Sequence, residues 1–185
     1  MFRSTTSIFF FCRVLTLAVC CDWLTHYSHL RNSSMVLIEV MGGPLTNQTS
    51  PVEFPYNLYK RMMNRQVKSQ LLFIRDSMTQ IYDLYRYNDM SPAAWDSVKT
   101  TDFLESIHRQ IRELDECVKP TRKSPNKLQL RHYYNNLKNQ TLLGGSKDGW
   151  EIVRKETKKH LTRLDRLGNL VLAASRGRST ASHKH

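Results

Sequence analysis

The sequence predicts an all-α fold: a bundle of five main helices with one long crossover after the first. Three observations carry this. Apolar residues recur at spacings of three and four in five separate segments, the period of a buried helix face. The segments are parted by Gly- and Pro-marked breaks, and no stretch alternates as a half-buried strand would. The connection from Leu45 to Pro55 is long, carries Pro51 and Pro55, and has no apolar period, which suits a crossover better than a tight hairpin.

The N-terminal 20 residues stand apart from these helices. They hold no acid, two arginines, the apolar runs Ile8–Phe11 and Val14–Cys20, and small residues (Ala18, Cys20) placed for a cut before Cys21. This is the layout of a secretory signal segment, although Arg13 interrupts its apolar core. The expected organisation is residues 1–20 as signal peptide, 21–175 as one helical domain and 176–185 as a disordered basic tail. No stretch reaches the about 18 uncharged apolar residues of a membrane span, so no membrane insertion is expected.

The first helix is predicted over Asp22–Met41, with Trp23, Tyr27, Leu30, Ser34, Leu37 and Met41 inward, and Gly42-Gly43-Pro44 ends it. Tyr56–Tyr87 should hold a short turn and a second helix whose core face is Val67, Leu71, Ile74, Met78, Ile81 and Tyr85, with Asp76, Gln80 and Asp83 wetted. Ser91 is placed as N-cap and Pro92 in the first turn of a third helix reaching Val118, with Leu104, Ile107, Ile111 and Leu114 inward. A proline-bounded loop carrying Lys119, Arg122 and Lys123 follows. The fourth helix spans Lys127–Leu143 on Leu130, Tyr133, Tyr134 and Leu137, and Gly144-Gly145 stops it. Asp148 is expected to cap a fifth helix from Trp150 to Ala174, with Trp150, Val153, Leu161, Leu164, Leu167 and Val171 inward.

The chain has 28 basic and 16 acidic residues, a formal net charge of +12. That balance suits an acidic partner: nucleic acid, an acidic protein surface or acidic glycans. A weak glycan contact is open to the basic loop. Arg154, Lys155, Lys158, Lys159 and Arg163 concentrate the charge on the non-apolar sides of the last helix. Four cysteines occur, two of them inside the signal segment. If the chain is exported, Cys21 and Cys117 can pair; in a reducing compartment they stay buried thiols. Three sequons, at Asn32, Asn47 and Asn139, fit export. Asn47 lies in the polar loop and is the best glycan candidate, whereas Asn32 and Asn139 fall in helices. His26 and His29 share a helix face without a third ligand, so no metal site is expected. There is no Gly-rich phosphate loop, nucleophile–base arrangement or paired-cysteine motif, so neither catalytic residues nor a cofactor are expected.

A secreted helical bundle with one long crossover and one disulfide has the architecture of helical cytokines. Particular motifs narrow this. Gln80-Ile81-Tyr82-Asp83-Leu84-Tyr85, Ala93-Ala94-Trp95-Asp96, Phe103, Gln110, Leu114 and Cys117-Val118 resemble the second and third helices of type I interferons. Trp150-Glu151-Ile152-Val153-Arg154-Lys155-Glu156 resembles the start of their last helix. The resemblance spans nearly all of the chain after residue 20, and Cys21-Asp22-Trp23 is similar to the two-cysteine group of bony-fish members. Asp148 stands where a second disulfide partner is common, and Gln140 where an aromatic is usual.

The resemblance implies a Cys21–Cys117 disulfide. It also implies an antiviral cytokine that bridges two different chains of a class II cytokine receptor and triggers Janus-kinase/STAT signalling. One receptor surface would join the last helix (Arg154, Lys155, Lys158, Lys159) to the first loop up to Phe54. The other would lie on the second, third and fourth helices. The alternatives are another class of helical cytokine or a basic nucleic-acid-binding helical protein; the resemblance implies no nucleic-acid partner.

Overall fold

The computed structural model describes residues 21–119 and 125–182. The expected signal segment, Arg122 and Lys123 of the basic loop, and residues 183–185 of the expected tail lie outside it. Among the described residues there are six α-helices and one 3-10 turn: α1 (Asp22–Val40), α2 (Tyr56–Met63), α3 (Val67–Arg86), the turn Ser91–Ala93, α4 (Ser97–Cys117), α5 (Pro125–Thr141) and α6 (Lys147–Ser182). No described helix is long and apolar enough to cross a membrane. The long α6 is the axis of the bundle, packing against α1, α2, α3, α5 and the 3-10 turn.

α1 buries Trp23, Tyr27, Leu30, Ser34, Ile38 and Met41. The stripe runs through Ile38, not Leu37, because the turn that carries Ser34 continues the four-residue row. Ser34 is a buried polar link: its Oγ donates to Leu30 O at 3.1 Å, lies 2.9 Å from Ser106 Oγ, and accepts from Gln110 Nε2 at 2.9 Å. Nearer the start of α1, the Tyr27 hydroxyl donates to Asp165 of α6, 2.6 Å from Oδ1 and 2.7 Å from the main-chain carbonyl. The Tyr27 ring lies so close to α6 that a Cβ on Gly168 would come within 2.6 Å of it. Gly168 is thus required by the approach of the two helices.

The turn expected after Tyr56 is a helix of eight residues, α2, which ends at Met63 with Asn64 as its C-cap. Gln70 of α3 closes it, its Nε2 donating to the carbonyls of Met62 (3.2 Å) and Met63 (3.1 Å). In α3 the predicted row Leu71, Ile74, Met78, Ile81 and Tyr85 is buried. Asp76, expected on the wetted side, is buried as well. It accepts from Arg75 Nη1 at 2.8 Å, and Arg75 Nε reaches Asp115 of α4 at 2.7 Å, so the carboxylate keeps a cationic partner.

The junction between α3 and α4 differs from expectation. Ser91–Ala93 forms only a 3-10 turn, Ala94 takes the left-handed conformation (φ 53), and Asp96 is the true N-cap, accepting from Lys99 N at 2.9 Å. The physical reason is Trp95. Its indole leaves the chain toward Trp150, with ring centroids 5.7 Å apart, and Nε1 donates to Glu151 at 2.7 Å. Asp96 N meanwhile donates to Met41 O at 2.8 Å, tying the junction to the end of α1. Phe103 is fully buried on α4, whereas Leu104 packs only partly.

Cys21 and Cys117 form a disulfide that joins the start of α1 to the last residue of α4. α5 buries Leu130, Tyr133, Tyr134 and Leu137 as its period predicts. Ser146, and not Asp148, caps α6: its Oγ accepts from Gly149 N at 3.0 Å, and Asp148 sits within the first turn. The backbone of residues 176–182 is helical and continues α6 through Ser182, contrary to the disordered tail expected there. This segment contains no proline, so no residue in it breaks the helix outright.

Candidate functional site

The basic half of α6 divides into two opposite environments within six residues. Arg154 follows Trp150 by four positions and so falls on the apolar row. It is fully buried, 0% exposed. Its guanidinium is a clamp. Nε and Nη2 reach Glu151 Oε2 at 3.0 and 2.7 Å, Nη1 reaches the carbonyls of Ile38 (3.3 Å) and Glu39 (3.1 Å), and Nη2 reaches those of Gly43 (2.6 Å) and Pro44 (3.2 Å). One side chain thus satisfies the last carbonyls of α1 and fixes the first residues of the crossover loop. Glu151 also accepts from Trp95, so the α3–α4 junction belongs to the same network. Gly42 is needed at its centre. A Cβ there would come within 2.8 Å of the Trp95 ring and 3.2 Å of the Arg154 guanidinium carbon. The reading of Arg154 as part of an outward face is therefore corrected: a fixed, buried arginine with this set of acceptors is a structural tie.

Phe54, also expected at the binding surface, is buried too. It lies 5.5 Å from the Tyr59 ring in a stacked arrangement, 4.5 Å from His160 and 6.2 Å edge-on to Tyr133. It pins the far end of the crossover to the core. His160 is the polar centre of this cluster. Its Nδ1 lies 2.6 Å from the Tyr59 hydroxyl, and burial, with Lys159 adding repulsion, pushes its pKa down to about 3. Burial likewise pushes up the hydroxyls of Tyr59 and Tyr134, and burial together with nearby Glu156 pushes up Tyr133. Burial thus favours the neutral forms of His160 and of these tyrosines.

Lys155, Lys158 and Lys159 remain partly exposed on the other sides of the helix. Lys155 Nζ donates to Gln48 O of the crossover at 2.8 Å, and Lys158 pairs with Glu39 at 2.8 Å. Lys159 pairs at 2.6 Å with buried Glu156, which also accepts from Tyr133 at 3.2 Å. Lys155 and Lys158 thus line the seam between α6, the end of α1 and the crossover, while Lys159 pairs within α6 on the side toward Tyr133 of α5. Of the sequon residues, Asn47 is exposed on the same crossover, one residue before the Gln48 carbonyl that Lys155 holds. Asn32 is exposed on α1 and accepts from Arg31, with Ser34 of its sequon buried. Asn139 is exposed near the end of α5, with Thr141 buried. Among the described residues no group of three or more His, Cys, Asp or Glu could hold a metal ion; His26 instead faces Glu113 at 3.5 Å.

The residues missed from the sequence are Arg154 as a tie, Glu156 and His160. The usable signal was register. Positions 150, 153, 154, 157, 160, 161, 164, 167 and 171 form one stripe, and all are buried whatever their polarity.

A single-disulfide helical bundle with a long, pinned crossover and a lysine-lined seam defines the class as a helical cytokine. The family model of the interferon alpha/beta domain matches residues 25–171. Interferon a3 of Oncorhynchus mykiss is 35% identical over 157 residues, which is 83% of this chain and 88% of that protein. The solved structure of zebrafish interferon 1 superposes with a TM-score of 0.74 at 29% identity, covering 82% of this chain and 99% of that one. The chain belongs to the interferon alpha/beta family.

Proposed function

We propose that the protein is a secreted antiviral cytokine that bridges two different chains of a class II cytokine receptor and so triggers Janus-kinase/STAT signalling. Its family membership supports the class of activity. The observation that carries the reading is the partly exposed basic side of α6 formed by Lys155, Lys158 and Lys159, with Lys155 bound to the crossover at Gln48 and Lys158 to the end of α1 at Glu39. Cationic side chains at the rim of a preformed surface steer an acidic receptor patch and hold its register. Arg154 and Phe54 serve this surface from below, by fixing both ends of the crossover. The second receptor chain takes the opposite side, on the second, third and fourth main helices, here α3, α4 and α5. Residues 1–20 direct export and are cut before Cys21. Export supplies the oxidising compartment that the Cys21–Cys117 bond needs.

The test is the pair of substitutions Lys155→Glu and Lys158→Glu, assayed in reporter cells from a fish host. Potency should fall about 100-fold or more, since like-charge juxtaposition at an interface costs several kcal/mol. Helical circular dichroism should stay native, while the thermal midpoint falls slightly because Lys158→Glu replaces the Glu39 pair with repulsion between partly exposed groups. Full potency at native dose would overturn the assignment of this seam.

A further inference from the structure

About two turns beyond the lysine seam, α6 and α2 enclose an open groove of about 240 Å³, whose lining includes Tyr56, Lys60, Met63, Arg163, Arg166 and Leu167. Its chemistry is one-sided. Lys60, Arg163 and Arg166 supply three cations, and no residue lining the groove is acidic. α2 contains no carboxylate at all. On α6, Asp165 separates Arg163 from Arg166 only in sequence. It faces α1, where Tyr27 donates to it at 2.6 Å and Arg31 at 3.1 Å. Arg163 instead lies over the Tyr56 ring, 5.0 Å from its centroid, and none of the three cations has an ion pair within the described residues. Tyr56 and Met63 are 50% and 42% exposed, so the groove has an apolar floor beside its charges. Three unpaired cations held near one another repel, and a protein of net charge +12 adds to the local potential.

We propose that this groove binds a linear sulfated polysaccharide of the cell-surface glycosaminoglycan class. Guanidinium groups are weakly hydrated, planar donors that match the oxygen pairs of a sulfate. Arg163 and Arg166 are three residues apart on one helix and so neighbours on its surface, with Lys60 across the groove as a third anchor. An exposed tyrosine and a methionine supply the flat, adaptable surface that the apolar face of a sugar ring packs on. The groove is open at the surface, so a long chain can pass through without a free end. This site lies beside the proposed receptor seam but does not depend on it: binding to a polysaccharide is read without any receptor present.

The experiment measures heparin binding by the intact, secreted protein, by surface plasmon resonance across a range of salt. The triple variant Lys60→Gln, Arg163→Gln, Arg166→Gln is compared with Arg112→Gln, Lys138→Gln, Lys147→Gln, which removes the same charge from exposed positions elsewhere. All six positions are partly or fully exposed, and circular dichroism with a thermal midpoint confirms the fold. The groove variant should bind about tenfold more weakly or worse and show a shallower salt slope, with the control near wild type. In the unsubstituted protein, heparin should also protect Arg163 and Arg166 from an arginine-specific reagent. Equal loss in both variants would overturn the proposal in favour of undirected charge attraction. Equal binding of desulfated heparin would remove sulfate as the ligand group. Tighter binding of duplex DNA or of anionic vesicles than of heparin, lost in the same variant, would reassign the groove to those polyanions.

Discussion

Arg154→Met separates a structural tie from a receptor contact at the residue where the two readings differ most. Methionine keeps most of the side-chain volume and removes the charge and all donors. The carbonyls of Ile38, Glu39, Gly43 and Pro44 and the carboxylate of Glu151 would then lose a partner that is 0% exposed. Breaking a buried ion pair from one side costs about 3–5 kcal/mol, because the remaining charge and acceptors stay desolvated. In a domain of this size each kcal/mol lowers the thermal midpoint by roughly 2–4 °C, so a drop of roughly 6–20 °C is expected. Urea unfolding followed by tryptophan fluorescence measures the loss, since Trp95 and Trp150 both sit on the network. Hydrogen exchange should speed up first at residues 42–48, where the crossover is released. Arg154→Lys should recover only part of the stability, as one ammonium cannot reach acceptors on two segments in the geometry of the guanidinium fork. If Arg154→Met keeps native stability and native exchange yet loses signalling, the clamp is not a tie, and the guanidinium must act on a partner.

The other expectations rest on separate features. His160 has a folded-state pKa of about 3 against an ordinary value of 6.5, so the fold favours the neutral ring. That contribution is fully present above pH 6.5 and is lost as pH falls toward 3, by roughly 2 kcal/mol at pH 5. His160→Phe should flatten the stability difference between pH 7 and pH 5 in urea titrations, and an unchanged difference would remove His160 as its source. Cys117→Ser opens a loop with a sequence separation of 96. It should cost about 4–5 kcal/mol on the chain-entropy account, and peptide mapping without reduction should find Cys21 and Cys117 linked. Asn47 should carry a glycan when the protein is secreted. Asn47→Gln should remove the gel shift that a glycosidase produces, and an unshifted wild-type protein would count against it.

Much of the scaffold was legible because burial and period agree there. The rows of α3 and α5 and the late part of α6 are apolar at nearly every inward position, so a spacing of three and four finds them. Where a turn was decided by a distant partner, local signals misled. Ser91-Pro92 has good helix-start chemistry, yet Trp95 is held by Trp150 and Glu151 some 55 to 56 positions further on, and the helix waits for Asp96. Nothing in residues 88–97 contains that information. Asp148 loses the capping role to Ser146 for a simpler reason: both residue types cap, and the loop from Gly144 to Gly145, both at positive φ, delivers Ser146 to the helix end.

Arg154 and Lys155 show where charge counting fails and register succeeds. The two are adjacent and both basic, and a tally of cations places them on one face. A helix turns 100° per residue, so Val153 and Arg154 sit at the two edges of the broad buried stripe, and the next step carries Lys155 out of it. Position 154 lies four after Trp150 and three before Thr157, both buried, whereas 155 falls between rows. A charged residue on the buried stripe must bring its partners with it. Arg154 finds them in Glu151 one turn back and in the carbonyls freed where α1 stops. Gly42-Gly43-Pro44 is then more than a helix stop. Gly42 leaves room for the Trp95 ring and the guanidinium, and Gly43 and Pro44 present carbonyls to it. The same clamp sets the path of the crossover that Lys155 touches at Gln48, so the exposed lysine can be placed accurately only because the buried arginine is satisfied.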